Sequence, residues 1–231
     1  MIKKFKTVIT SKRMIAENTS EISFDTSHID FEFIAGQYVT ITILSLSNLP
    51  VREQFRDFSI ASSPHDHNIV TIAFRNSDSA FKRAILEGKI DSEIEIEGPK
   101  GVFTLPEDIQ APIVFVAGGI GIIPFKSIVQ DVIYAKRKVQ ITLFYYNSDQ
   151  KHAAYIDELQ NLSSKNKDIV FIPVFGLFDG LRVDEFLRKS AILPSHWFVA
   201  GPPGFVSNAR HALVQRGILD VQIRTEEFTG Y

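Results

Sequence analysis

No cysteine occurs among the 231 residues, so disulfides are excluded and a cysteine-ligated iron–sulfur cluster cannot be built from this chain. An excess of charge of one sign is also missing. The formal balance is −2, which gives no electrostatic reason to expect a nucleic-acid partner or an anionic membrane surface. The most apolar stretch, Ala111 to Phe125, is shorter than a membrane span and carries three glycines and two prolines. The start, Met1-Ile2-Lys3-Lys4-Phe5-Lys6, is basic but lacks the apolar run of a signal peptide, so a cytoplasmic protein without a membrane partner is expected. The six histidines have no metal-ligand spacing, and His65-Asp66-His67 reads as an exposed loop in a turn rich in Pro and Asn. No serine-nucleophile elbow is present, and Glu93-Ile94-Glu95-Ile96-Glu97 reads as a strand with a solvated face.

What the sequence does have is two successive rhythms. Up to about Leu105, β-branched and aromatic runs alternate with turn residues: Phe5–Ile15, Glu21–Phe24, Gln37–Leu44, Phe58–Ala61, Ile69–Arg75 and Glu93–Glu97. Gln37 to Ile43 alternates as a half-buried strand does. One helix interrupts, with Ser79 capping Ala80–Leu86 and Gly88 ending it. Six short strands with one inserted helix predict a closed antiparallel barrel.

After Pro106 strands and helices alternate. Ile113–Ala117, Gln140–Tyr146, Ile169–Val174, Trp197–Ala200 and Val221–Arg224 read as strands, and Pro124–Tyr134, Ala153–Leu162, Val183–Arg188 and Phe205–Arg216 as the helices between them. That pattern predicts a doubly wound parallel sheet. The expected architecture is therefore two domains, a six-stranded antiparallel barrel over 1–107 and an α/β parallel sheet over 108–231. Each is large enough for its own core, as lobes of roughly 100–130 residues are.

Two segments carry chemistry. Arg56-Asp57-Phe58-Ser59 joins a cation, an aromatic ring and a hydroxyl inside the β-rich half. Val116 to Pro124 is an apolar strand that breaks into Gly118-Gly119-Ile120-Gly121 and restarts as a helix. Glycines let a backbone approach a phosphate closely, and a helix N-terminus offers free N–H groups and partial positive charge. A proline stands where the third glycine of a dinucleotide fingerprint is expected, but proline suits the first helical turn. A second strand, Trp197 to Ala200, empties into Gly201-Pro202-Pro203-Gly204 before the last helix.

In this order the motifs resemble those of the ferredoxin–NADP reductase-like flavoprotein superfamily, over essentially the whole chain. Arg56-Asp57-Phe58-Ser59-Ile60-Ala61-Ser62 is similar to the family's flavin motif, Gly118 to Pro124 to its glycine turn, Ala200-Gly201-Pro202-Pro203 to its Cys-Gly-Pro-Pro segment, and Glu226-Glu227-Phe228 to its terminal Glu-x-aromatic. The resemblance implies FAD in the barrel and NADH or NADPH on the sheet. It implies that Arg56 neutralises the FAD diphosphate, Phe58 packs on the isoalloxazine and Ser59 bonds near flavin N5. Ala73, Phe74 and Arg75 match the strand along the ribityl and adenine side, and Ser79 with its helix N-terminus meets the diphosphate. Gly118, Gly119 and Gly121 cradle the nicotinamide nucleotide's diphosphate, and Gly201 and Pro202 border its nicotinamide end. Glu226 relays a proton or orients the nicotinamide, and Phe228 covers the flavin face, with Tyr231 as the alternative cover.

Four departures stand out: Phe58 for tyrosine, Ile120 for threonine, no glycine in Asn76-Ser77-Asp78, and Ala200 for cysteine. After the second parallel strand, Asn147-Ser148-Asp149-Gln150-Lys151 holds no arginine for a 2′-phosphate, which favours NADH. The implied activity is hydride transfer from nicotinamide to flavin N5, then electron release to a separate acceptor: a ferredoxin, a flavodoxin, an oxygenase component or a small molecule. The alternatives are a reductase that takes free flavin as substrate and a non-catalytic electron-transfer subunit.

Overall fold

The computed structural model describes residues 1–109, 111–190 and 194–229. The first half forms β1 (Lys3–Ala16), β2 (Thr19–Asp25), β3 (Tyr38–Thr42), α1 (Val51–Gln54), β4 (Phe55–Ser59), β5 (Ile69–Arg75), α2 (Ala80–Glu87) and β6 (Glu93–Lys100). Its six strands lie in the order β4-β3-β6-β1-β2-β5, antiparallel throughout. The two edges meet where the chain leaving β4 bridges Ile60 to Ile72 of β5, and Ala61 N–H donates to Thr71 O at 2.7 Å. That closes the barrel and leaves no edge for a foreign strand. Alternation along β3 sends Val39 and Ile41 into a core shared with Phe5, Ile22, Ile72 and Ile96. Each such side chain contributes roughly 1.5–3 kcal/mol over its exposed state.

The helix α2 forms as its caps predict. Ser79 Oγ accepts from Lys82 N–H at 3.2 Å, and Gly88 N–H donates to Ala84 O at 2.9 Å. Lys12 of β1 donates to the Ile85 and Leu86 carbonyls at 2.6 and 3.0 Å, placing a cation where the helix dipole is negative.

The second half forms β7 (Ile113–Gly118), α3 (Ile122–Tyr134), β8 (Ile141–Asn147), α4 (Ile156–Lys165), β9 (Ile169–Phe175), α5 (Leu181–Lys189), β10 (His196–Gly201), α6 (Pro203–Gln215) and β11 (Ile223–Glu227). The strands are parallel in the order β11-β10-β7-β8-β9. The chain runs outward from β7 to β9 and then returns to place β10 beside β7, so the strand order reverses between those two. A ligand crevice is expected at the carboxyl end of that reversal.

Several boundaries differ from the sequence reading. Tyr155 takes a left-handed conformation (φ 58°), so α4 starts at Ile156 and not at Ala153. The last strand begins at Ile223, after a 3₁₀ turn over Asp220–Gln222; Val221 looked like strand but is exposed. That later register carries Glu226 into β11, opposite Ala200. β4 covers Phe55–Ser59, three residues earlier than expected, because it is led in by the short α1. His65 is not an exposed loop residue: its Nε2 lies 2.9 Å from Asp131 Oδ1 and its ring stacks on Tyr134 with centroids 3.9 Å apart, which fastens the barrel to α3.

The two halves are joined by polar and apolar contacts. Lys126 Nζ donates to Ala61 O at 3.1 Å, Ser127 Oγ to Ser62 O at 2.7 Å, and Arg224 Nη1 to Thr104 O at 3.0 Å. The Tyr155 hydroxyl donates to Glu21 Oε2 at 2.6 Å, beneath the Arg13–Glu21 ion pair. Burial alone would raise the Glu21 pKa, but the hydrogen bonds from Arg13 and Tyr155 prevail and hold it below the ordinary value. Ala35, Ala61, Ala73 and Phe103 from the barrel half pack into the same core as Phe115, Phe125 and Phe198 of the sheet half.

Candidate active site

Arg56 and Phe58, two residues apart on β4, share a face. Phe58 is buried against Phe74 and Phe81, with ring centroids 5.4 and 5.8 Å away, so most of its ring belongs to the barrel core and only an edge is offered to a ligand. The Arg56 guanidinium lies 5.6 Å over the Phe81 ring and donates to the Arg52 and Phe55 carbonyls. Ser59 ends β4 opposite Tyr38.

A narrow cleft collects Arg56, Phe58 and Ser59 of β4, Ala73, Phe74 and Arg75 of β5, Lys82 of α2, Ile120 of the glycine turn, and Phe228. A cavity of about 430 Å³ adjoins it, sharing Arg56, Phe58, Ser59 and Phe228 and adding Tyr38, Arg52 and Glu226. Larger hollows of about 590 and 610 Å³ lie elsewhere, among the lysine-rich ends of α3 and α4 and along the loop at Thr26–Phe33. Neither gathers a glycine turn with aromatic residues, so size alone does not locate the site.

The glycines lie at the strand reversal. Gly119 has φ +54°, and its nearest neighbour beyond the chain is Arg75 Nη2, 3.8 Å from where a Cβ would be, so conformation is what requires glycine there. At Gly121 proximity is what requires it: a Cβ would lie 2.3 Å from Ala200 O. Gly118 ends β7, Gly201 ends β10, and Pro202 caps α6 with Pro203 in its first turn. Phe228 N–H donates to Gly201 O at 2.9 Å, which brings that ring from the end of β11 to the cleft.

One predicted residue lies off the cleft, and another lines it but also reaches past it. Ser79 is not among the residues lining the cleft, and its hydroxyl caps its own helix. Arg75 turns from the barrel toward the sheet, donating to His152 O at 3.0 Å and lying beside Gly119. Lys82 and Tyr38 line the site without having been singled out by sequence. Lys82 follows Phe81 in an amphipathic helix, where a lysine reads as a solvated flank. Tyr231 lies outside the described residues.

Some polar atoms are left over for a ligand. Glu226 Oε2 is buried without a hydrogen-bond partner among the described residues, and burial pushes its pKa up to about 7. At the carboxyl end of β8, the Tyr146 hydroxyl and both Asn147 amide atoms are likewise buried and unpartnered. Orphaned polar atoms on the ligand side of a parallel sheet, beside a glycine turn, fit a nucleotide. A cleft lined by aromatic edges, a hydroxyl and cations fits a phosphorylated flavin.

Comparison with known proteins agrees with both fits. The model of the oxidoreductase FAD-binding domain matches residues 6–105, and that of the oxidoreductase NAD-binding domain matches residues 115–211. The chain is 32% identical over 207 residues to the CDP-6-deoxy-L-threo-D-glycero-4-hexulose-3-dehydrase reductase of Yersinia pestis, covering 85% of this chain and 60% of that protein. It is 26% identical over 215 residues to the reductase component of propane 2-monooxygenase from Mycolicibacterium goodii, covering 87% and 60%. The chain thus spans about three-fifths of the length of these curated relatives. Among solved structures, the ferredoxin–NADP⁺ reductase of Plasmodium falciparum superposes with a TM-score of 0.80 at 18% identity, over 97% of this chain and 96% of that one, which speaks to the fold.

Proposed function

Because this chain belongs to the ferredoxin–NADP reductase-like flavoprotein superfamily, we propose that it is an FAD-dependent NAD(P)H reductase that delivers electrons to a separate acceptor. The observation that carries the proposal is the convergence of β4, β5, the Gly118–Gly121 turn and Phe228 on one cleft between the two halves. A flavin bound there supplies a two-electron acceptor that can release electrons singly. The chain's own residues do the rest. Arg56 offers a fork of donors for diphosphate oxygens. Phe228 presents its ring and Phe58 a ring edge to the isoalloxazine, and Ser59 presents a hydroxyl at the end of β4. Ala73, Phe74 and Arg75 form the neighbouring wall.

On the sheet side, Gly118, Gly119 and Gly121 leave the backbone free to meet a diphosphate, and Gly201 and Pro202 border the nicotinamide end. Glu226, neutral or ionised near pH 7, holds or gives up a proton beside the flavin edge. Phe228 is the cover that a nicotinamide ring must displace. We assign 1–107 to the flavin lobe and 108–231 to the nicotinamide lobe. NADH is the reductant we favour, since the loop after β8 offers Asp149, engaged with His152 at 2.7 Å, and no arginine. The acceptor we infer is an oxygenase, dehydrase or ferredoxin-type protein, in keeping with the names of the relatives.

The test is the absorption spectrum of the purified chain together with NADH oxidation using ferricyanide. A yellow protein that reduces ferricyanide with NADH faster than with NADPH is the expected outcome. A colourless protein active only with added flavin would make flavin the substrate instead. A flavin-bearing protein with no NAD(P)H oxidation would reduce it to an electron-transfer subunit.

A further inference from the structure

The segment that follows β8 belongs to the sheet half, yet the barrel holds it. Glu17, in the turn between β1 and β2, donates its N–H to Lys151 O at 2.8 Å. Arg75, at the end of β5, donates to His152 O at 3.0 Å, and the Tyr155 hydroxyl donates to Glu21 Oε2 at 2.6 Å. The turn that does the holding is itself fixed. Asn18 takes a left-handed conformation (φ 52°), which asparagine tolerates, and its carbonyl accepts from Asn76 N–H at 2.8 Å. Glu17 is thereby aimed at the segment, and its Oε2 lies 3.0 Å from Lys151 Nζ.

This seam lies where a nucleotide's adenosine end belongs. In a doubly wound sheet the adenosine ribose is met beyond the carboxyl end of the second strand, which here is β8. The Tyr146 hydroxyl and the Asn147 amide, buried and unpartnered at that end, point to a ligand there. Within Asn147-Ser148-Asp149-Gln150-Lys151 the one cation is Lys151, and NADPH differs from NADH only by a phosphate on that ribose. Asp149 and His152 already form a pair at 2.7 Å. The hydrogen bond that Glu17 accepts, and then its charge, hold the Lys151 pKa above the ordinary value, so the lysine stays charged. Both side chains of the Glu17–Lys151 pair are exposed, and such a pair adds little to stability. Its consequence lies in the charge it presents, neutral with Glu17 in place and positive without it.

We propose that Glu17, a residue of the flavin lobe, determines nucleotide specificity: by engaging Lys151 it withdraws the loop's cation from the 2′-phosphate and so favours NADH. The proposal rests on the reductase reading above and assigns its cofactor preference to a residue outside the sheet.

The experiment uses the full chain and two probes that differ only in a 2′-phosphate, adenosine 5′-monophosphate and adenosine 2′,5′-bisphosphate. Titration calorimetry measures their binding, and kcat/KM is measured for NADH and NADPH. Glu17 is exposed and its backbone bond to Lys151 does not need the carboxylate, so glutamine leaves the fold in place. Glu17→Gln should tighten the bisphosphate about three- to tenfold, the effect of changing one or two exposed charge contacts, and leave the monophosphate unchanged. The ratio of kcat/KM for NADPH over NADH should rise by a similar factor, and the gain should shrink at high salt. Adding Lys151→Gln should cancel it. Unchanged bisphosphate affinity in Glu17→Gln would overturn the proposal, as would a gain that survives the loss of Lys151 or is shared by the monophosphate. A parent chain that prefers NADPH would overturn it too. A parent that oxidises neither nucleotide and binds neither probe would overturn the reductase reading and this proposal with it, an outcome distinct from an NADH-selective parent whose preference ignores Glu17.

Discussion

The two sides of the cleft use different parts of the polypeptide. On the barrel side the groups that line it are side chains: Arg56, Phe58, Ser59 and Lys82, beside an aromatic cluster that is itself barrel core. On the sheet side they are stretches of bare backbone at Gly118, Gly121 and Gly201, where added atoms would strike main chain or rings, and at Gly119, whose positive φ disfavours a side chain. A site made of side chains can be weakened one group at a time. A site made of backbone fails as a whole, because substitution moves the strands that define it.

That contrast can be broken or sharpened experimentally. The largest effect is expected at Gly121. A branched side chain there meets Ala200 O, so Gly121→Val should abolish reduction by NADH while sparing FAD binding and reduction by dithionite. Stopped-flow reduction with each reductant checks this, and parallel loss of both would mean that the two sides are not separable. Next is Glu226→Gln. The folded pKa of Glu226, about 7, lies above its unfolded value near 4.5, so the native state holds the proton more tightly than the unfolded chain. Stability is therefore greatest at low pH and is lost as pH rises from about 4.5 to 7, a difference on the order of 3 kcal/mol. Glutamine removes the titration, so urea unfolding at pH 5 and pH 8 should show the variant overtaking the parent at the higher pH.

Arg56→Ala should cost about 1.5–3 kcal/mol of FAD binding, seen as flavin lost on dialysis, with NADH affinity intact. The smallest effect is expected at Ser59, where one lost hydrogen bond costs about 0.5–1.5 kcal/mol. Ser59→Ala should keep its flavin and slow reduction only a few-fold to about tenfold. Reduction at the parent rate would remove Ser59 from the chemistry.

The same contrast explains what was legible in the sequence. Backbone constraints leave marks in composition, and the glycine turn, the Ser79 cap and the alternation of Tyr38–Thr42 were all readable because few residues satisfy them. Long-range side-chain geometry leaves no such mark. His65 finds Asp131 sixty-six residues away, and nothing in a Pro- and Asn-rich turn announces that pairing. Tyr155 breaks the start of α4 by entering the left-handed region, an unusual choice for a ring-bearing residue that local pattern does not predict. Lys82 was hidden for the opposite reason: its neighbours Phe81 and Ile85 give a clean amphipathic pattern, into whose polar flank a lysine falls without comment. Arg75 lines the cleft with Ala73 and Phe74, as the motif implied, but its guanidinium also crosses to His152, because β5 ends at the seam and a long side chain can reach past it.

The barrel's contribution of Ala35, Ala61, Ala73 and Phe103 to the sheet's core has a consequence for how this chain melts and how it can be divided. Two modules are recognisable in its ancestry, yet the hydrophobic interior is not partitioned at their border. A fragment starting near residue 108 would expose the faces of Phe115, Phe125 and Phe198 that Phe103 and the small alanines cover. Unfolding should then proceed as one cooperative transition, with amide exchange in β7 and in β5 governed by the same opening event. The inherited unit is the module, but the thermodynamic unit is the pair.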